Sequence, residues 1–173
     1  MDERQRELLK RLETFFSEDE DIEEASLFTK EELNAPVDVL RVLALDYGPR
    51  LMDLLAEFSF LPLGEEQEIF YFSSVLTISM NVPKEGIPAL AGAISRLNFY
   101  LPFGAFCLSQ DGSMLIFKTA VPMAAGQSDD AIYQAMEIAA DASILIPESY
   151  TDLLLRIAEG NLLLDDFIAT LPE

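Results

Sequence analysis

The sequence predicts an α+β domain in which an antiparallel sheet of about five strands carries helices on one face. In several segments apolar residues recur at every second position, the period of a half-buried strand. In others they recur at three- and four-residue steps, the period of an amphipathic helix. Half of the 173 residues are apolar, which is enough to build one core without disulfides or metal ions.

The N-terminal region is predicted to be a helix over residues 3–16, with Leu8, Leu12 and Phe15 on its apolar face. Residues 18–24 hold six carboxylates in seven positions, and their repulsion favours an exposed linker or a frayed helix end. A metal-binding acidic loop is the less favoured alternative, because nothing positions these oxygens around an ion. We therefore divide the chain into an N-terminal helix with acidic linker (1–36) and a single α+β domain (37–173).

Three strands are expected next. Residues 37–47 are ambiguous, since their valines favour a strand whereas the apolar pairs Val39–Leu40 and Val42–Leu43 fit a helical stripe. Residues 52–60 alternate in part and are assigned as a strand. The clearest strand covers residues 69–82. Its core face is predicted to consist of Phe72, Ser74, Leu76, Ile78, Met80 and Val82.

A helix at 88–98 and a β-hairpin at 103–121 follow. Pro88 suits the first turn of a helix, where its missing N–H costs nothing, and Asp111-Gly112 suits a tight hairpin turn. Both faces of the hairpin are mostly apolar, and the outward one is predicted to hold Ala105, Cys107, Met114, Ile116 and Ala120. Strands of this kind are usually covered on both sides. We expect helices on one side and a partner on the other.

The C-terminal part is predicted to be helical. Ser128 is a good N-cap, and the acids Asp129 and Asp130 suit the positive end of a helix dipole. Pro147 is expected to kink or restart this helix, whose second stretch ends at Gly160. Residues 162–171 are expected to form a short final helix.

Charge and composition exclude several classes of function. The chain has 11 Lys and Arg against 31 Asp and Glu, a net charge of −20, so nucleic acid and anionic membranes are not expected partners. Without His, the Ser-His-Asp and Cys-His mechanisms and the usual catalytic zinc sites are excluded. The single Cys excludes an intramolecular disulfide. We find no signal-peptide core and no apolar run long enough for a membrane span, and expect a cytoplasmic protein.

No residue stands out as a chemical site. Cys107 lies in a predicted strand without a nearby base and is interpreted as a buried structural thiol. Adjacent acids on a helix point about 100° apart and do not converge on one ion. The acid pairs Asp129-Asp130, Asp165-Asp166 and Glu65-Glu66 are therefore read as helix-start and turn charges. The glycines at 104, 112 and 126 match no phosphate-binding motif. We predict a non-enzyme with no catalytic, cofactor-binding or metal-ligating residues and no cofactor.

Three segments together resemble a known family. They run from Tyr47-Gly48-Pro49 to Leu61-Pro62, from Leu97-Asn98-Phe99 through the Asp111-Gly112 turn, and from Tyr150 to Gly160. In order and spacing they resemble the YbjN-type family of bacterial sensory transduction regulators over roughly residues 37–160. The resemblance implies a fold similar to type III secretion chaperones, with the order helix, three antiparallel strands, helix, two strands, helix. It implies no catalytic or metal-binding residues.

Two hypotheses for the function follow. The first is a non-enzymatic protein-binding or chaperone-like regulatory module, and the second is a regulator that binds a small molecule or divalent cation through surface carboxylates. In the first, the outward face of the hairpin is covered by a client protein or by a second copy, since type III secretion chaperones are commonly dimers. The alternative cover is the N-terminal helix, folded back through Leu8, Leu12 and Phe15.

Overall fold

The computed structural model describes residues 3–61 and 68–171, which form a six-stranded antiparallel sheet and five α-helices. The helices are α1 (Glu3–Ser17), α2 (Lys30–Leu33), α3 (Ile87–Leu97), α4 (Asp129–Ala158) and α5 (Leu164–Ile168), with a 3₁₀ turn at Lys84–Gly86 before α3. The strands are β1 (Ile22–Phe28), β2 (Val39–Tyr47), β3 (Met52–Phe60), β4 (Ile69–Ser79), β5 (Ala105–Leu108) and β6 (Leu115–Ala124). Across the sheet the strands lie in the order β1-β2-β3-β4-β6-β5.

The predicted α+β class and the order of helices and strands are confirmed, but the sheet has six strands instead of five. The additional strand, β1, begins inside the segment that we expected to be an acidic linker. Ala25 and Leu27 of β1 pair with β2 and point to the helices, while Glu24 is exposed. Charged side chains are common on edge strands, and the charge of Glu24 stays in contact with water.

Residues 39–47, ambiguous between strand and helix, form strand β2. Leu40 and Val42 are fully buried, whereas the intervening Arg41 and the following Leu43 remain half-exposed. This is the two-residue period of a strand, and the apolar pairs that suggested a helix are split between the two faces of the sheet.

The core lies between one face of the sheet and the helices α1, α3 and α4. Phe16 of α1 stacks on Phe58 of β3 with ring centroids 5.3 Å apart, and Phe58 stacks on Phe72 of β4 at 5.9 Å. Ile132 and Met136 of α4 are buried in the same cluster. Since α1 packs on the same face as α4, the idea that it folds over the opposite face is wrong.

Helix α4 is a single 30-residue helix that runs through Pro147, so the restart expected there does not occur. The predicted N-cap is confirmed, because the side chain of Ser128 accepts a hydrogen bond from the Ala131 N–H. Pro147 is buried and has no backbone N–H to donate. The Thr151 hydroxyl donates a hydrogen bond to the Pro147 carbonyl at 2.9 Å. Among the helices of the described residues, none is long and apolar enough to cross a membrane.

Two further boundaries differ from expectation. Strand β4 ends at Ser79 after an irregularity in its pairing with β6, and Met80, predicted to be in the core, is 65% exposed. Val82 is nonetheless buried, because its N–H donates to the Ser113 carbonyl and brings the chain back to the sheet. The final helix, α5, covers five residues within the longer segment predicted from the sequence.

Candidate functional site

The face of the sheet opposite α1, α3 and α4 is the first candidate site, and we call it the open face. Its two central rows of side chains follow from the strand register. The first row is Leu43, Leu55, Thr77, Ile116 and Cys107, and the second is Arg41, Glu57, Val75, Lys118 and Ala105. Lys118 is exposed and the other nine are half-exposed, whereas the inward side chains between the two rows are buried, namely Val42, Ala56, Leu76, Phe117 and Phe106. The outward position of Ile116 on the hairpin is therefore as predicted.

The open face carries a shallow depression of about 200 Å³ at the β1–β2–β3 end. Arg41 lines it, with its guanidinium 5.3 Å from the ring of Phe28 and its Nε donating to Glu57 Oε1 at 2.9 Å. Leu43 and Leu55 line the depression beside this pair. The face thus offers aliphatic contact area next to a charge pair that is already satisfied.

Charge is nearly balanced on the open face, in contrast to the rest of the chain. Apart from Glu23 at the β1 bulge, its outward strand positions hold two cationic side chains, Arg41 and Lys118, and three anionic ones, Glu24, Asp53 and Glu57. Their net charge is −1, against −20 for the whole chain. An acidic or apolar protein surface therefore meets less repulsion here than elsewhere on the molecule.

Both edges of the sheet have backbone groups occupied by side chains. At the β5 edge, Asn98 donates to the Phe106 carbonyl and accepts from the Phe106 N–H, each at 2.9 Å. At the β1 edge, the Leu27 N–H donates to Glu13 Oε1 at 2.7 Å. These contacts oppose the addition of a strand from another chain, so the face is the more available surface of the sheet.

The second candidate site is a cleft of about 490 Å³ between α1, α4 and the ends of β1 and β2. We call it the acidic cleft. Its side chains are both anionic and apolar, and they include Phe15, Asp19, Asp21, Ile22, Leu45, Asp46, Tyr47, Asp141, Ile144, Leu145 and Glu148. The Tyr47 hydroxyl donates a hydrogen bond to the Ile144 carbonyl at 2.8 Å, which connects the end of β2 to α4 within the cleft.

The electrostatics of the acidic cleft disfavour the charged form of one of its carboxylates, Asp141. Desolvation by the cleft walls, followed by repulsion from Glu137 and Asp19, raises the pKa of Asp141 above its usual range. Desolvation also raises the pKa of Tyr47, helped by the nearby Glu148, so the phenol stays neutral and acts as a donor. In the described part of the chain, no Lys or Arg lines this cleft.

The residues discounted from the sequence are scattered over the molecule. Cys107, expected to be buried, is half-exposed on the open face, because the edge strand β5 turns it away from the helices. Asp129 and Asp130 do begin a helix, as expected, and each pairs with an arginine of α1. Asp165 and Asp166 lie in the first turn of α5, and Glu65-Glu66 lie outside the described residues.

Neither candidate site is arranged as a metal centre in the described part of the chain. Across residues 3–61 and 68–171, no group of three or more His, Cys, Asp or Glu side chains is arranged to hold a metal ion. The acidic cleft and the side-chain hydrogen bonds at the sheet edges were missed from the sequence. The spacing Asp141, Ile144, Leu145, Glu148 on α4 was a usable signal, because these positions share one helix face.

Fold and surface together define an α+β protein with helices on one face of its sheet and an open second face. The YbjN family, described as "Putative bacterial sensory transduction regulator", matches residues 55–144, a little more than half of the chain. The chain belongs to this family. The match runs from β3 into α4 and includes most of the open face, while α1, β1 and β2 lie outside it. No curated protein matches the sequence.

Proposed function

We propose that this chain is a non-enzymatic regulatory protein of the cytoplasm that acts by binding another protein through the open face. The observation that carries the proposal is the row Leu43, Leu55, Thr77, Ile116, Cys107, which crosses five strands and is half-exposed throughout. A continuous surface of this kind is typical of an interaction site. The regulatory description of the YbjN family supports the same role.

The size of the open face suits a protein partner. Six strands about 4.8 Å apart make a surface about 25 Å wide, and seven residues of strand span about 23 Å. The resulting area is of the same order as the roughly 800 Å² that each partner contributes to a standard interface. A small molecule would leave most of this surface in contact with water.

The partner is a client protein or a second copy of this chain. A second copy is compatible with the charges, because the outward strand positions of the face are nearly neutral. The docking mode is face to face, since Asn98 and Glu13 occupy backbone groups at the two edges.

The test compares the same substitution on and off the open face. Leu55→Asp places a charge in the central row, whereas Leu163→Asp changes a leucine that is 68% exposed at the start of α5. Because both variants add one negative charge, a difference in their assembly is due to the position of that charge. A buried charge should weaken the assembly by about 2 kcal/mol or more, roughly thirtyfold.

We expect the wild-type protein and Leu163→Asp to sediment as the same dimer or complex when purified from their native cells. Leu55→Asp should sediment as a folded monomer, with an unchanged circular dichroism spectrum. If Leu55→Asp assembles like the wild type, or if the wild type is a bare monomer in native extracts, binding through the open face is refuted. If Leu55→Asp unfolds, Ile116→Asp is the second variant at the same row.

A further inference from the structure

We propose that the acidic cleft binds a basic, apolar segment of a protein: a peptide with two or more Lys or Arg side chains about 10 Å apart and large apolar side chains between them. The cleft lies at the β1–β2 end between α1 and α4, apart from the central rows of the open face. Peptide binding in this cleft is a second interaction, and it does not depend on binding through the open face.

The negative charge of the acidic cleft is not compensated by nearby cations. Asp19, Asp21, Asp46, Asp141 and Glu148 line the cleft, and within the described residues none of these five carboxylates belongs to an ion pair. Elsewhere the structure does pair acids where cations are near, as where Arg50 contacts Asp152 and Glu159. A basic side chain entering the cleft would supply the missing opposite charge.

Apolar surface lies beside these charges. Leu45 and Leu145 are 40% and 61% exposed at the cleft, and the half-buried Phe15, Ile22 and Ile144 continue the surface inwards. A hydrated cation alone would leave these side chains in water. A peptide that carries large apolar residues next to its charges covers both kinds of surface.

The two acids that α4 contributes to the cleft are spaced for two separate cations. Asp141, Ile144, Leu145 and Glu148 form one stripe of α4, with an acid at each end and two apolar residues between. Seven residues of helix separate the acids by about 10.5 Å, so one metal ion or one ammonium group reaches either carboxylate but not both. A segment with two separated cations reaches both. The cleft volume of about 490 Å³ is in the range of binding pockets.

The experiment measures the affinity of a fluorescein-labelled peptide that has leucines between its lysines, by fluorescence anisotropy at about 0.15 M salt. The double variant Asp141→Asn/Glu148→Gln removes two cleft charges. The control Asp165→Asn/Asp166→Asn removes two charges from α5, outside the cleft. Both raise the net charge by two, so non-specific attraction to an acidic protein falls equally in each. Thermal melts verify that both variants are folded.

The cleft variant should weaken binding of the leucine-containing peptide about fivefold or more, and the α5 control less than twofold. Replacing every Leu of the peptide by Ser, with its charges kept, should also weaken binding about tenfold. The proposal is overturned if the two protein variants weaken binding equally, if the Leu and Ser peptides bind alike, or if neither peptide binds. Each of these results leaves binding through the open face unaffected, because the sedimentation test uses different residues.

Discussion

The Asp38→Asn variant is expected to lose about 2–3 kcal/mol of unfolding free energy at neutral pH. The Asp38 side chain is fully buried, and its two oxygens accept hydrogen bonds from Arg6 Nε at 2.7 Å and from the Lys30 N–H at 2.8 Å. The carboxylate thereby joins α1 and the start of α2 to the start of β2. An amide in its place turns an N–H towards one of these two donors and leaves that donor without an acceptor.

The loss should depend on pH in a defined direction. Burial by itself raises the pKa of Asp38, but the hydrogen bonds from Arg6 and the Lys30 N–H outweigh it, and the folded pKa lies below the ordinary value. A depressed pKa stabilises the fold above the unfolded pKa of about 4, and this contribution disappears as the pH falls through the folded value. The difference between wild type and Asp38→Asn should therefore shrink below about pH 4 in urea titrations.

The matched control is Asp130→Asn, which also removes an acid paired with an arginine of α1. Arg11 lies 3.1 Å from Asp130, but the Asp130 side chain is 83% exposed. Exposed pairs contribute little, so this variant should lose less than about 0.5 kcal/mol at neutral pH. Equal losses in the two variants would contradict the role given to Asp38.

The Gly86→Ala variant is expected to lose about 3 kcal/mol of unfolding free energy. Gly86 is buried where the 3₁₀ turn leads into α3, and an added Cβ would lie 1.9 Å from the Ala158 carbonyl oxygen at the end of α4. The obstacle is backbone, so no side-chain rotation relieves it. The two helices must move apart, which opens the core around Leu90 and Leu154.

Gly126→Ala provides the comparison, because a Cβ at Gly126 meets nothing within 4 Å. Its free energy of unfolding should change by less than about 0.5 kcal/mol. A slight rise is also consistent, because alanine lowers the conformational entropy of the unfolded chain relative to glycine. Urea unfolding at one pH measures both variants. A loss below about 1 kcal/mol in Gly86→Ala would mean that α3 and α4 are not packed as closely as described.

The periodicity of apolar residues along the chain predicted those helices and strands that bury one face and expose the other. Strand β4 alternates so regularly that its start and its inward face as far as Ile78 were predictable, whereas its end at Ser79 was not. Strand β1 was hidden, because charge density dominates its sequence and its two inward residues, Ala25 and Leu27, are too few to establish a period. The continuity of α4 through Pro147 was also unpredictable, since tertiary packing of the helix overrides the local cost of proline.

The site was predictable to a smaller extent. The outward apolar face of the hairpin follows from its alternation, and Ile116 lies on that face as expected. The two hydrogen bonds between the Asn98 side chain and the Phe106 backbone occupy backbone groups at the β5 edge of the sheet. The two residues are eight positions apart and lie on different elements, so no local pattern predicts this contact. The acidic cleft combines carboxylates from the ends of α1 and β2 with those of α4, so it exists only once the chain has folded.

The most direct test of binding through the open face is site-specific photo-crosslinking in the cells that produce the protein. A benzophenone amino acid at Thr77 lies in the central row, and one at Leu163 lies on the helix side of the molecule. Our account predicts a discrete adduct from Thr77, with the mass of a dimer or of a client complex, and none from Leu163. The absence of an adduct at Thr77, or the same adduct from both positions, would contradict it.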